Sequence, residues 1–278
     1  MNLHRFINQP KVLTMSEEKR HTLKRLLADF PPGAVLPTRW LTAHGYADNL
    51  LPRYVDGGWL ASAGYGVYRR TGADSTWTEA VHALQHLLEL DLHIGGISAL
   101  DWGGFAHFLR PGPKAILLYG PVKPPRWAGA VVPDYPLQWR SNRLFALPEN
   151  ASDKDRALVV LRPEGSRHDL RFASEERAIL ELLDDAPHLA SVHEADAILA
   201  GLSRLRPARL NTLLACCTRY KVKRLFLALA HRHQHPWLKH LDLAAIDLGR
   251  GKRSLQPGGK YDARFLISLP AGLDAKLR

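Results

Sequence analysis

The first 70 residues place three helix-forming segments and a β-hairpin in immediate succession, and this order limits the possible folds more than any other feature. A first helix is predicted to begin at Ser16, a suitable N-cap, and to end at the Pro-Pro-Gly run of residues 31–33. A second helix is predicted from Thr38, as its cap, to Gly45, and a third from Asp48 to Gly57. Residues 59–70 alternate and turn in the manner of a β-hairpin.

Three short helices followed by a two-stranded ribbon have the order of a winged helix-turn-helix. The second and third helices are separated by a short turn that contains Gly45, a connection that crosses two helices steeply. This arrangement leaves the third helix free to lie in a major groove of DNA. We therefore predict a winged helix-turn-helix DNA-binding domain over residues 1–74.

The remainder of the chain, residues 75–278, predicts a larger domain of mixed α/β structure. Strands are expected up to about residue 173, helices over 174–240, and a basic glycine-rich loop with a closing strand over 247–270. A length of 278 residues suits two domains, and a hydrophobic content of 46% is sufficient for a core in each. The predicted fold class is α+β.

Positive charge is concentrated at both ends of the chain. The whole sequence carries a net charge of +11, residues 1–72 carry +5 and residues 201–278 carry +12, whereas residues 151–200 carry −5. A strongly basic protein favours a polyanionic partner over an acidic one. Double-stranded DNA is the partner expected for the N-terminal domain.

Several side chains of the N-terminal domain suit DNA contact. Arginine can donate two hydrogen bonds to guanine, asparagine can pair with adenine, and lysine on neighbouring elements can neutralise phosphates. The candidate DNA-binding residues are Lys24, Arg25, Arg39, Asn49, Arg53, Tyr54, Arg69 and Arg70.

Catalytic and metal-binding motifs are weak in this sequence. The histidines at 231, 233, 235 and 240 lie near Cys216 and Cys217, but their spacing on a helix points them in different directions. The acidic pairs at 175–176 and 184–185 suit a solvated helix face better than a magnesium site. We expect no catalytic residue, metal or cofactor, although a metal-dependent enzyme that processes nucleic acid, delivered by the winged helix, is an open alternative.

The chain is expected to be cytoplasmic and to have no membrane partner. No apolar run is long enough to span a bilayer, and the N-terminus lacks the pattern of a signal peptide. The adjacent Cys216 and Cys217 would make a strained disulfide, which agrees with a reducing compartment.

Several sequence blocks occur in a fixed order along almost the whole chain, and together they resemble the AbiEi antitoxin family of type IV (abortive infection) toxin–antitoxin systems. The blocks read RYVDGGWL at 53–60, GYGVYRR at 64–70, TWTEA at 76–80, HIGGISAL at 93–100, EERAILELLD at 175–184, KVKRLFL at 221–227, IDLGRGKR at 246–253 and GGK at 258–260. Several ordered blocks are much more specific than any one of them.

The resemblance implies an antitoxin that also binds inverted repeats in its own promoter and represses the operon. Its C-terminal domain would oppose a nucleotidyltransferase-like toxin, with direct contact between the two left open. The recognition helix would be residues 48–57, with Asn49 and Arg53 as the base readers, and the wing would be residues 59–70. Pro52 departs from a regular recognition helix, because proline is tolerated only near the first turn, so the helix is expected to start later or to tilt.

A second basic surface is predicted in the C-terminal domain. Its residues are Lys221, Lys223, Arg224, Arg250, Lys252, Arg253 and Lys260. Three partners remain open for it, namely DNA that flanks the operator, an RNA, or an acidic surface of the toxin. A transcription factor with a ligand-sensing C-terminal domain is a further alternative for the whole chain. A protein that is monomeric in solution and binds an inverted repeat cooperatively would satisfy the symmetry of the operator.

Overall fold

The structure is a computed structural model of the 278-residue chain. It describes residues 17–105, 115–148, 150–186, 192–254, 259–270 and 272–273. The predicted cap Ser16 lies outside the described residues. None of the helices in these ranges is both long and apolar enough to cross a bilayer.

The N-terminal domain has the element order of a winged helix. The elements are α1 (Glu17–Asp29), β1 (Val35–Pro37), α2 (Thr38–Ala43), α3 (Leu51–Asp56), β2 (Leu60–Gly64) and β3 (Val67–Arg70). The strands form an antiparallel sheet of order β1-β3-β2, in which β2 and β3 are the wing. The winged helix-turn-helix prediction is confirmed in its element order, and β1 is a strand that the sequence pattern did not predict.

Two predicted helix boundaries in this domain are wrong in detail. Thr38 is the first residue of α2 and not its cap; Pro37 takes the cap position without a side-chain hydrogen bond. Helix α3 begins at Leu51 and not at Asp48, so that Pro52 lies in its first turn, where its missing N–H costs no helical hydrogen bond. The later start that Pro52 suggested is therefore correct. Gly45 has a φ of +87°, a left-handed conformation that favours glycine in the turn between α2 and α3.

The C-terminal domain is built on a mixed five-stranded sheet of order β6-β5-β4-β8-β7. Its strands are β4 (His93–Ile94), β5 (Ile116–Gly120), β6 (Leu137–Ser141), β7 (Leu158–Leu161) and β8 (Leu170–Ala173). Strands β7 and β8 pair antiparallel and lie within the segment that ends near residue 173, in which strands were predicted. Strand β6 follows a proline-rich stretch and was not predicted.

Helices flank this sheet. They are α4 (Trp77–His82), α5 (Gly96–Trp102), α6 (Glu175–Asp185), α7 (Val192–Gly201), α8 (Pro207–Cys216) and α9 (Tyr220–His233). Thr76 caps α4 by accepting a hydrogen bond from the backbone N–H of Glu79, and a π-helical turn extends α4 through residues 83–87. Ser174 takes the cap position of α6 without a side-chain cap hydrogen bond, since its hydroxyl donates to the Glu176 carboxylate.

A small sheet of order β10-β11-β9 closes the chain. It consists of β9 (Arg253–Ser254), β10 (Lys260–Asp262) and β11 (Ile267–Leu269). The strand predicted near residues 265–269 is present as β11, and it packs against α9 through the fully buried Ile267. The basic loop before β9 is thereby tied to the body of the domain.

Two hydrophobic clusters fill the described part of the chain. One lies within the N-terminal domain and includes Leu26, Leu41, Tyr54 and Leu60, all at most 1% exposed. The other fills the C-terminal domain, and it extends to Val67 of the wing. The wing therefore packs against the C-terminal domain as well as against its own sheet.

Candidate nucleic-acid interface

Helix α3 exposes the charged residues Arg53 and Asp56 and buries Leu51 and Tyr54. Leu51 and Tyr54 are 1% and 0% exposed and contribute to the N-terminal core. Arg53, on the opposite side of the same short helix, is exposed. The structure thus leaves Arg53 free to reach a partner from the helix that a winged-helix protein inserts into the major groove.

Asn49 and Tyr54, which were predicted to contact DNA together with Arg53, lie in different environments. Asn49 is exposed, but it belongs to the turn at residues 48–50 and not to α3, so the two readers do not share one helix. The assignment of Tyr54 to DNA contact is wrong, because its ring is buried in the core and stacks edge-on against Trp59. Burial also raises the pKa of the Tyr54 hydroxyl.

All three candidate cations on α1 and α2 are exposed, and one of them contacts other residues of the domain. Lys24 on α1 and Arg39 on α2 are exposed. Arg25 is also exposed, yet it donates to the carbonyl of His44 at 2.7 Å and lies over the ring of Tyr46 at 5.1 Å. Arg25 thus joins α1 to the turn that precedes α3, and its guanidinium is partly committed to that contact.

Both arginines at the base of the wing form contacts within the protein. Arg69 pairs with Asp74, and its side chain is 33% exposed. Arg70 donates to the backbone carbonyl of Phe30 at the end of α1. The Arg70 contact fastens the wing to the end of the first helix, and both contacts compete with any contact of the two arginines to DNA.

The tip of the wing carries a residue that sequence reasoning missed. Tyr65 lies in the Gly64-Tyr65-Gly66 turn and is fully exposed. The sequence signal that could have indicated this residue is an aromatic ring flanked by two glycines at the tip of a predicted hairpin. Gly64 itself approaches the C-terminal domain, since a Cβ on it would lie 3.7 Å from the Cβ of Trp127.

The predicted C-terminal basic set separates into exposed and internal residues. Arg250, Lys252 and Lys260 are exposed. Arg253 begins β9, and its side chain lies outside the described part of the structure. Lys221 donates to the carbonyls of Asp184 and Ala186, so part of its bonding capacity is used inside the fold.

Lys223 and Arg224 are buried, and their assignment to a basic surface is wrong. Arg224 is 0% exposed and donates to the carbonyls of Leu248, Gly251 and Leu266 at 2.7–2.9 Å. Lys223 donates to the carbonyl of Asp247 at 3.1 Å. Because these cations satisfy the carbonyl groups of the glycine-rich loop from inside, they fix the loop that displays Arg250 and Lys252.

The acidic pairs considered for a magnesium site lie at opposite ends of α6 and have separate partners. Glu176 is buried and accepts from the backbone N–H of Arg206, whereas Asp185 accepts from the hydroxyl of Tyr119. Asp184 pairs with Arg219 at 3.1 Å. Within the ranges that the structure describes, no group of three or more potential metal ligands converges.

The clustered histidines near the end of α9 also have individual partners. His233 contacts Asp196 at 2.7 Å, and His235 contacts the carbonyl of Leu199 at 2.8 Å. Both cysteines are free thiols, with Cys217 buried and Cys216 half-buried. These side chains pack the helical part of the C-terminal domain together.

The fold is similar to that of a solved protein. It aligns with the crystal structure of the RV2827C protein from Mycobacterium tuberculosis at a TM-score of 0.60, with 15% sequence identity and 90% of each chain covered. An identity this low shows a shared fold alone. No match was found among the curated proteins.

Two family models match consecutive parts of the chain. Residues 19–111 match the N-terminal domain of the AbiEi antitoxin transcriptional regulators, and residues 113–270 match the transcriptional regulator, AbiEi antitoxin, of the type IV toxin–antitoxin system. The N-terminal match includes the winged helix together with α4 and α5. The chain therefore belongs to the AbiEi antitoxin family of type IV toxin–antitoxin systems, whose members are transcriptional regulators.

Proposed function

We propose that this antitoxin binds inverted repeats in its own promoter through the winged helix and represses its operon. The observation that carries the proposal is the exposed Arg53 on the outer side of α3, in a helix that is otherwise held by the core. Asn49 and Arg39 are exposed on the two segments before it and extend the polar surface. Arginine paired with guanine is the commonest base-specific contact in the major groove.

The remaining exposed cations serve to position the protein on the DNA backbone. Lys24 lies on α1, and Arg69, partly paired with Asp74, lies at the base of the wing. Contacts of this type neutralise phosphates and carry no direct sequence information. We assign the N-terminal DNA-binding domain to residues 1–74, since the hydrophobic cluster of the winged helix lies within these residues.

The C-terminal domain, residues 75–278, is the antitoxin domain in this proposal. It opposes a nucleotidyltransferase-like toxin, and its surface of Arg250, Lys252 and Lys260 binds a polyanion or an acidic protein surface. The protein acts in the cytoplasm without enzymatic activity, and two monomers assemble on one inverted repeat. The support for a role without catalysis is that Glu176, Asp184, Asp185, His233 and His235 each have a partner within the fold.

A reporter assay in cells tests the repression. The region upstream of the gene is fused to a reporter, and the full-length protein is supplied from a second plasmid. Wild-type protein is expected to repress, and Arg53→Ala is expected to lose most of the repression. Arg167→Ala is the matched control, because Arg167 is an exposed arginine in the β7–β8 turn, away from the winged helix. Equal repression by both variants would refute the role of α3.

Co-expression with the neighbouring gene tests the antitoxin role. If that gene encodes the toxin, its expression alone arrests growth, and the protein described here restores growth.

Incubation of the purified protein with DNA or RNA and magnesium or manganese tests for catalysis. Cleavage that is lost in a Glu175→Ala/Asp184→Ala double variant would contradict the proposed absence of enzymatic activity.

A further inference from the structure

A pocket of about 420 Å³ opens in the C-terminal domain, apart from the winged helix and from the basic loop at residues 247–252. It lies where the segment after β6 meets the segment before β4 and the first half of α6. Its polar lining consists of Arg143, Arg156, Arg177, Asn142 and Asp91. The volume falls within the range of about 300–1,000 Å³ that is typical of small-molecule sites.

Arg177 is the buried cation of this pocket. Its side chain is 2% exposed, its Nε donates to Glu181 at 2.7 Å, and its Nη1 donates to the carbonyl of Arg156 at 2.7 Å. Its third nitrogen, Nη2, has no hydrogen-bond partner among the described residues. The guanidinium is therefore held by Glu181 and by the Arg156 carbonyl, and Nη2 retains donor capacity.

The fixed position of Arg177 is supported by further contacts. Glu181 also accepts from His93 at 2.8 Å and from the backbone N–H of Gly96 at 3.0 Å. Cζ of Arg177 lies over the Phe145 ring, 4.8 Å from its centre. A binding group held by such a shell is preorganised, because little side-chain freedom is lost when a ligand arrives.

Of the other two arginines, Arg156 has a carboxylate partner and Arg143 has none among the described residues. Arg156 pairs with Asp91 at 2.8 Å, and its side chain is 16% exposed. Arg143 is exposed, and its guanidinium has no hydrogen-bond or ion-pair partner in the described ranges. With Glu181 committed to Arg177 and Asp91 committed to Arg156, the charge of Arg143 is left for a ligand.

The pocket also has an apolar lining. Phe145, Leu147, Pro121 and Pro148 form it. A ring or another apolar group can rest on this lining while an anionic group lies among the arginines. Arginine is the side chain best suited to phosphate, because its planar fork can donate two parallel hydrogen bonds.

We propose that the pocket between Arg143, Arg156 and Arg177 binds a small organic phosphate, whose phosphate group is held by the arginines and whose body packs on Phe145 and Leu147. The proposal goes beyond the proposed DNA binding and toxin neutralisation, and it gives the C-terminal domain a ligand of its own. Isothermal titration calorimetry of the full chain in a phosphate-free buffer tests it, with adenosine monophosphate as the probe and adenosine as the probe without phosphate.

Adenosine monophosphate is expected to bind at one saturable site with a Kd below about 1 mM, and adenosine is expected to bind at least about tenfold more weakly. Arg143→Ala should raise the Kd for adenosine monophosphate by about tenfold or more, whereas Arg167→Ala, with the same loss of charge at a distant exposed position, should change it by less than about twofold. Arg143 is the residue to substitute because it is exposed and no fold contact depends on its guanidinium.

Three results would overturn the proposal. The first is the absence of saturable binding, the second is equal affinity for adenosine and adenosine monophosphate, and the third is an equal effect of Arg143→Ala and Arg167→Ala, which would indicate nonspecific attraction to a basic protein. The reporter assay with Arg53→Ala is read separately, so failure of this pocket and failure of the promoter-binding proposal are distinguishable.

Discussion

The imidazole of His93 lies 2.8 Å from the carboxylate of Glu181, and both side chains are at most 1% exposed. His93 belongs to a sequence block on β4, and Glu181 belongs to another on α6, 88 residues later. Burial lowers the pKa of His93, and the charge of the facing Glu181 carboxylate opposes that effect. For Glu181, burial acts to raise the pKa, but the charges of His93 and Arg177 and the hydrogen bonds from both side chains outweigh it and hold the pKa below its ordinary value.

Removal of this carboxylate is expected to destabilise the C-terminal domain strongly. Glu181→Ala leaves Arg177 as a buried cation without its carboxylate partner, a change that typically costs about 3–5 kcal/mol. Urea unfolding followed by circular dichroism measures the loss. Glu164→Ala, an exposed carboxylate in the β7–β8 turn, is the control and should change the free energy of unfolding by less than about 0.5 kcal/mol. A similar result for both variants would show that the network does not stabilise the fold.

Gly95 is expected to tolerate no side chain. A Cβ at this position would lie 2.2 Å from Oε2 of Glu181 and 2.6 Å from Cδ2 of Tyr119. Gly95→Ala should therefore lower the free energy of unfolding by about 1–3 kcal/mol. Gly129→Ala is the control, since its nearest contact would be an ordinary 3.8 Å, and thermal unfolding of the two variants compares them. Equal melting temperatures would contradict the close approach of β4 and α6.

Tyr54 is expected to act through packing and not through DNA contact. Its hydroxyl is buried and has no hydrogen-bond partner among the described residues. Tyr54→Phe should therefore preserve stability to within about 1 kcal/mol and preserve promoter affinity, because it removes a buried polar group and leaves the ring. Tyr54→Ala should cost about 3–5 kcal/mol. Loss of promoter affinity in a folded Tyr54→Phe protein would indicate that the Tyr54 hydroxyl contacts DNA.

Acidification is expected to destabilise the protein through His82. Burial and the neighbouring rings of His168 and His86 lower the pKa of His82 to about 4, although the negative charge of Glu79 acts to raise it. The ring of His82 stacks on that of His168 with 3.7 Å between the centroids, and Asp169 lies beside this histidine group through its contact with His86. In the unfolded chain His82 binds a proton below about pH 6.5, so between that pH and about pH 4 protonation favours the unfolded state.

The melting temperature measured from pH 7.5 to pH 4.5 tests this pH dependence. The His82→Phe variant retains an aromatic ring and should show a smaller decrease over that window than the wild type. His21→Gln, at an exposed position on α1, should decrease as the wild type does. Parallel curves for His82→Phe and the wild type would exclude His82 as a contributor.

Arg224 is expected to hold the basic loop in place. Its guanidinium donates to the carbonyls of Leu248, Gly251 and Leu266, so Arg224→Met leaves these groups without their donor. Limited trypsin digestion should then cleave faster after the exposed Arg250 and Lys252, which the wild type holds in a fixed loop. Arg204→Met, at an exposed position in the α7–α8 connection, serves as the control. Unchanged cleavage at this loop would show that other contacts fix it.

Local signals in the sequence predicted most helices and the winged-helix order, because caps, proline and glycine act on neighbouring residues. They did not predict β1 and β6, which are three and five residues long and follow stretches rich in proline. Strands this short are determined by the partner strand and not by their own pattern.

The candidate site was less predictable for a related reason. Lysine and arginine are seldom fully buried, so Lys223 and Arg224 were assigned to the surface. Their burial depends on carbonyl groups from a loop about 24 residues later. The spacing of residues within α9 therefore gives no indication of it. Tyr54 could have been assigned to the core from its position three residues after Leu51, which places both on one face of α3.

The direct test of the central claim compares the affinity of the purified protein for two DNA duplexes. Fluorescence anisotropy at one fixed salt concentration measures binding to the region upstream of the gene and to a scrambled duplex of the same composition. Specific recognition by the winged helix predicts at least about 10³-fold tighter binding to the upstream duplex, with most of that preference lost in Arg53→Ala. Equal affinity of the wild-type protein for both duplexes would contradict the account.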